Sequence, residues 1–177
     1  MSIDKKEVTL YKNKEKKSIG TAIFSIDHKY RYVLTRKWSN KGICLFIMLN
    51  PSTADAYKLD PTVSRAYKIA KRFKLGELVI LNIFAIKGSD PSVIKEYNDP
   101  IGKYNDYYIN YYCKKAKMII VAWGNHGSYN NRSSEVKDIL LKKKNKVYCI
   151  DVNISGEPKH PLYTKNNSKL KKYKLDK

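Results

Sequence analysis

Four polar positions stand at the ends of apolar runs in this chain, and their side chains can do chemistry. Asn50 follows Phe46-Ile47-Met48-Leu49 and is fixed from behind by Pro51-Ser52, because proline cannot donate to a sheet ladder and restricts the residue before it. Asn82 ends the run Leu78-Val79-Ile80-Leu81, and Trp123-Gly124 ends Met118-Ile119-Ile120-Val121-Ala122. His160 lies in the rigid loop from Gly156 to Tyr163 that follows Val147-Tyr148-Cys149-Ile150. An amide donates and accepts, and an imidazole titrates near neutrality, so such a set can orient a substrate or steady a developing charge. Ligands of open α/β sheets bind just beyond the carboxyl ends of the strands. Four such positions in order point to one rim and one site.

The elements that must carry them read as alternating strands and helices. The four runs are apolar on both faces, as in buried parallel strands. Thr21 to Ile26 and Tyr30 to Arg36 form two further strands around the turn Asp27-His28-Lys29. Asp60-Pro61-Thr62 opens a helix on which Val63, Ala66, Tyr67 and Ala70 recur at helical spacing. Asp90-Pro91-Ser92 begins another, Ile101 to Lys115 is a Tyr-rich helix, and Glu135 to Lys144 is amphipathic. The pattern predicts a three-layer α/β fold with a mostly parallel central sheet flanked by helices. Residues 1–20 are a polar N-terminal segment, 21–164 a single α/β domain, and 165–177 a flexible Lys-rich tail.

The chain has 177 residues, of which 42% are hydrophobic, enough for a proper core. No apolar run approaches the roughly 20 residues that span a bilayer, and the start lacks the apolar core of a secretory signal. Cys44, Cys113 and Cys149 have no metal-like spacing, so the expectation is buried free thiols in a reducing cytoplasm. The formal charge of +20 makes nucleic acid the first partner to consider. Only five of the 36 basic residues are Arg: Arg31, Arg36, Arg65, Arg72 and Arg132. Abundant Lys, Tyr, Asn and Ile also suit an AT-rich genome, so charge alone leaves both readings open. Phosphate-loop, nucleophile-elbow and His-Glu-x-x-His patterns are missing, and neither metal nor cofactor is indicated.

Met48-Leu49-Asn50-Pro51-Ser52-Thr53-Ala54-Asp55, Asp60-Pro61-Thr62, Trp123-Gly124 and His160-Pro161-Leu162-Tyr163 resemble the hallmarks of a bacterial and phage family, domain of unknown function 1643. The likeness spans about residues 25 to 165. Behind it lies a more distant similarity to the uracil-DNA glycosylase superfamily. Leu49-Asn50-Pro51 resembles that superfamily's water-positioning motif, and Ile80-Leu81-Asn82-Ile83 the strand whose Asn reads the flipped base. Val121-Ala122-Trp123-Gly124 resembles a third strand, and Lys159-His160-Pro161-Leu162 a loop whose His meets the departing base and whose next residues wedge into DNA. Two departures are Met48 where that motif has Gly, and Leu162 where the loop has Ser.

The resemblance implies a monofunctional DNA N-glycosylase. It would flip a base, modified bases included, from single- or double-stranded DNA and hydrolyse its N-glycosidic bond. Asn50 would orient the water, since an amide is no general base at neutral pH; Asp55 or Asp60 would assist, and His160 would steady the anionic base. Pro51, Ser52, Asn82, Phe84, Trp123, Gly124, Asp60 and Thr62 would bind substrate. Arg65, Arg132, Pro161, Leu162 and Tyr163 would meet DNA. Each has a plainer reading: Asn50 as a turn cap, Asn82 as an amide tying two loops, His160 paired with backbone, Phe84 and Trp123 as core, Asp60 as a helix N-cap. Thr62, Arg65 and Arg132 are then solvated, and Leu162-Tyr163 anchors its loop. Two other functions fit: a non-catalytic nucleic-acid-binding module, or an enzyme acting on free nucleosides or nucleotides. A cytoplasmic monomer without membrane contact is expected.

Overall fold

A computed structural model of the chain describes residues 7–15, 18–58, 60–141, 147–164 and 168–175. The apolar runs become strands β4 (Ile43–Met48), β5 (Glu77–Asn82), β6 (Ala116–Ala122) and β7 (Val147–Cys149). They lie parallel in the order β5-β4-β6-β7. Parallel neighbours need crossovers, supplied by helices α1 (Pro61–Arg72), α2 (Val93–Glu96), α3 (Asn105–Lys115) and α4 (Arg132–Leu141).

Strands β1 (Val8–Glu15), β2 (Ser18–Ser25) and β3 (Arg31–Lys37) extend the sheet beyond β5, and β8 (Lys171–Lys172) closes the other edge. All of these pair antiparallel, including β3 with β5. The chain is thus a mixed α/β fold with an eight-stranded sheet and four helices. The expectation of a mostly parallel sheet is corrected, because only the central four strands are parallel. The reason lies in connection length: β2 and β3 are joined by a short turn, which closes a hairpin and cannot make a crossover.

Side-chain alternation along the central strands splits the core in two. Cys44, Phe46 and Met48 face α1 through Val63, Ala66, Ile69 and Ala70. Leu45 and Ile47 face the opposite layer, with Tyr108, Ile109 and Cys113 of α3 and Val136 and Leu140 of α4. The connection from β4 runs outward to β5, and the next returns past β4 to β6. A common crossover hand places helices of opposite direction on opposite faces. That reversal makes a switch point, and open α/β sheets form their crevice there, past the strand ends.

All three cysteines are buried, with no disulfide among them; burial pushes the Cys44 thiol up to about 12 and Cys149 up to about 11. Residues 168–175 fall in the segment expected to be a flexible tail, and that expectation is corrected by their packing. The β8 strand pairs with β7, and Tyr173, 6% exposed, sets its ring edge-on to Trp123 and donates its hydroxyl to the Gly156 carbonyl at 3.1 Å. Among the described residues no helix is long and apolar enough to cross a membrane.

Candidate functional site

Register brings three strand ends side by side, with Met48 opposite Asn82 on one flank and Ala122 on the other. The segments beyond them wall a cleft of about 480 Å³. Asn50, Asn82, Trp123, Gly124 and His160 all contribute to it, with Ser52, Asp60 and Thr62 from the loop and first turn of α1.

Asn82 is 2% exposed, yet among the described residues its side-chain amide has no hydrogen-bond partner. Its amide atoms open onto the cleft, where solvent or a ligand can meet them; the one buried side-chain polar atom without a partner among the described residues is Oδ1 of Asn105. The backbone of Asn82 is held firmly. Asn105, fully buried at the start of α3, donates its Nδ2 to the carbonyls of both Asn82 and Ile83 at 2.9 Å. Arg132 Nε also donates to the Ile83 carbonyl, at 2.9 Å.

Asn50, not Asn82, is the amide that ties two loops. Its Nδ2 donates to the Gly88 carbonyl at 2.9 Å, and the Gly88 N–H returns a bond to the Pro51 carbonyl at 2.9 Å. Oδ1 of Asn50 is left as an acceptor. Turn capping and water orientation are therefore compatible, because they use different atoms of one side chain.

His160 is half-buried and opens the short 3₁₀ turn Pro161–Tyr163, its Nδ1 accepting from the Leu162 N–H at 3.4 Å. That role assigns the ring proton to Nε2, which remains a donor. Burial lowers the pKa of His160, against a smaller upward pull from Asp60, so the ring is neutral at pH 7. The loop that presents it is stiff. Asn153 N–H bonds the Glu157 carbonyl and Lys159 N–H the Asp151 carbonyl, both at 2.8 Å. The buried Glu157 carboxylate takes Trp123 Nε1–H and Ser133 Oγ–H. Gly124 (φ 73°) bonds the Pro158 carbonyl at 2.8 Å, and a Cβ on it would sit 3.7 Å from His160 Cβ.

Asp60 is the one carboxylate among the described residues of the cleft wall, and its Oδ1 caps α1 by accepting from Val63 N–H at 2.7 Å. At the mouth, Leu162 is 53% and Tyr163 82% exposed.

A family model for a protein of unknown function, DUF1643, matches residues 31–162. The chain belongs to this family. No curated protein matches it. The DUF1643 match begins at the first residue of β3, so the β1–β2 hairpin lies outside it, and it takes in the cleft as far as Leu162.

Several residues expected at the site of this DUF1643 protein lie elsewhere. Asp55 does not reach the cleft: its Oδ1 accepts from Tyr57 and Lys58 N–H groups at 2.7 and 2.8 Å, a turn that holds the carboxyl below its usual range despite burial. It borders a neighbouring hollow with Tyr11, Phe24, His28 and Lys87. Phe84 is fully buried against Tyr129, because the chain turns inward after Asn82. Trp123 does border the cleft, but it is 1% exposed and its indole is committed to Glu157 and Tyr173. Arg132 is a buried ion-pair centre with Asp106 and Glu135, and Arg65 bonds the Thr164 carbonyl. Pro51 and Pro161 are buried behind the wall.

Arg31, Ser89, Asn125, His126 and Asn153 line the DUF1643 cleft and were not expected there. Arg31 had a signal: an arginine in a background of lysine marks a position where a planar fork is needed. Asn125 and His126 open the 3₁₀ segment Asn125–Asn131, and Ser89 and Asn153 come from loops with no periodic pattern.

Proposed function

We propose that the cleft hydrolyses an N-glycosidic bond to a base extruded from DNA, in the manner of the uracil-DNA glycosylase superfamily. The observation that carries this reading is the cleft-lining Asn82 amide, without a protein partner among the described residues, on the same wall as Asn50 and the neutral imidazole of His160. An amide offers a donor and an acceptor together, which matches a Watson–Crick edge. The C1′–N bond breaks as the base leaves with its electron pair, and the oxygen of water bonds to C1′. Asn50 Oδ1 orients that water, and the second oxygen of Asp60, which replaces Asp55 in this role, accepts its proton. Nε2–H of His160 stabilises the charge growing on the base. Exposed Leu162 and Tyr163 suit a wedge that fills the gap in the stack.

Oligonucleotides carrying uracil, mismatched thymine or bulky modified pyrimidines test the reading by release of free base. Purified protein should create abasic sites in at least one, and Asn50→Ala and Asn82→Ala should each cut the rate by about 100-fold. Unchanged DNA in every case overturns it.

One observation favours a second reading, an enzyme of free nucleosides or nucleotides. No lysine is among the described residues of the cleft wall, despite the charge of +20. Turnover of a nucleoside without salt-sensitive affinity for DNA would select it.

A further inference from the structure

Three arginines of this chain are buried, and their surroundings differ: Arg36, 6% exposed, donates to the Thr35 and Asp55 carbonyls. Arg132, 1% exposed, is met by Asp106 and Glu135. Arg31, 3% exposed, forms no ion pair among the described residues. Among the described residues its side chain donates only to the Ala54 carbonyl, which uses one of five N–H groups. Asp55 and Asp60 act on it at longer range, Arg36 repels it, and both carboxylates are already engaged by backbone N–H groups. Burial lowers its guanidinium to about 10, which leaves it charged at neutral pH. A buried cation without a counter-charge is unstable unless something supplies one. Arg31 is also the one formal cation among the described residues of the cleft wall.

Its place along the rim says which end of a ligand it meets. The strand order β3-β5-β4-β6 sets Arg31 one strand beyond Asn82, on the side away from Gly124 and His160. Neighbouring strands are about 4.8 Å apart, so a base read by Asn82 presents its far edge to Arg31 and its glycosidic side to Asn50.

We propose that the cleft takes a ligand bearing an oxyanion, on a carboxylate or a phosphate, at the end beyond Asn82, and that Arg31 is its counter-charge. The proposal rests on the reading of the cleft as a nucleoside-unit site and names a substrate class for it. The oxyanion has two sources: an acidic substituent on the base, or the phosphate of a free nucleotide bound in the reverse sense. A fork of donors fits either, and fits a neutral base edge less well.

Calorimetry with three probes at one pH and ionic strength tests it: deoxyuridine, its 5-carboxyl derivative and its 5′-monophosphate. At least one anionic probe should bind wild-type protein about tenfold tighter than deoxyuridine. The gap should close in Arg31→Gln and persist in part in Arg31→Lys, with circular dichroism confirming that both variants fold. The probe showing the gap names the source of the oxyanion. A wild-type protein without the gap, or one that binds none of the three, overturns the proposal without any variant, as does an Arg31→Gln protein that keeps the gap. Base release that depends on Asn50 and Asn82 but ignores Arg31 sinks this proposal alone. An Arg31-dependent gap without base release from any DNA sinks the hydrolase reading alone.

Discussion

His160 shows how one side chain can serve the fold and the site with different atoms. Nδ1 caps the turn at Leu162, and Nε2–H remains for a ligand. Protonation would turn Nδ1 into a donor and break the cap. Because burial lowers its folded pKa below the ordinary 6.5, the unfolded chain binds more protons between the two values. The stability from the neutral ring is complete above about 6.5 and is lost as pH falls through the lower folded value. Nuclear magnetic resonance titration should give His160 a midpoint below 6.5. Asp60→Asn, which retains a good N-cap, should lower it further by removing the opposing carboxylate. A midpoint at or above 6.5, or one raised by Asp60→Asn, would contradict this electrostatic account.

Strand β5 delivers Asn82 to the cleft because its end is tied from the opposite layer. The chain turns inward after Asn82, which frees two carbonyls in the interior, and α3 answers with Asn105. Asn105→Leu fills similar volume but leaves both carbonyls less satisfied, a loss of about 2 kcal/mol. Urea unfolding should show a lower midpoint with an unchanged slope. An unmoved midpoint would mean that the carbonyls find other partners. Arginine is used as a tie throughout: Arg65 and Arg72 bond the Thr164 and Ser168 carbonyls, and Arg132 the Ile83 carbonyl. Lysines carry most of the positive charge.

For the molecule as a whole, the last strand is part of the scaffold that holds the site. Tyr173 packs on Trp123, whose indole holds Glu157 and through it the loop of His160. Tyr173→Ala should cost about 3 kcal/mol, and Tyr173→Phe about 1 kcal/mol through the lost bond to Gly156. Thermal unfolding of the two variants separates packing from hydrogen bonding, and equal losses would contradict this division.

The four buried strands, the capped start of α1 and the polar residues after Leu49, Leu81 and Ala122 are legible in the chain itself. Apolar period and proline geometry are local properties, readable without knowing what lies across the sheet. Pairing direction was only partly legible, since whether β3 lies parallel or antiparallel to β5 depends on a partner distant in sequence. The roles of Asp55, Phe84 and Arg132 were hidden for the same reason. A carboxylate, a ring or a guanidinium has the same chemistry wherever it lies, and only its neighbours in space decide whether that chemistry is already committed. The cleft-facing amide of Asn82 and the charge of Arg31, neither paired among the described residues, belong to this second kind. Each is defined by its neighbours in space, which folding alone can reveal.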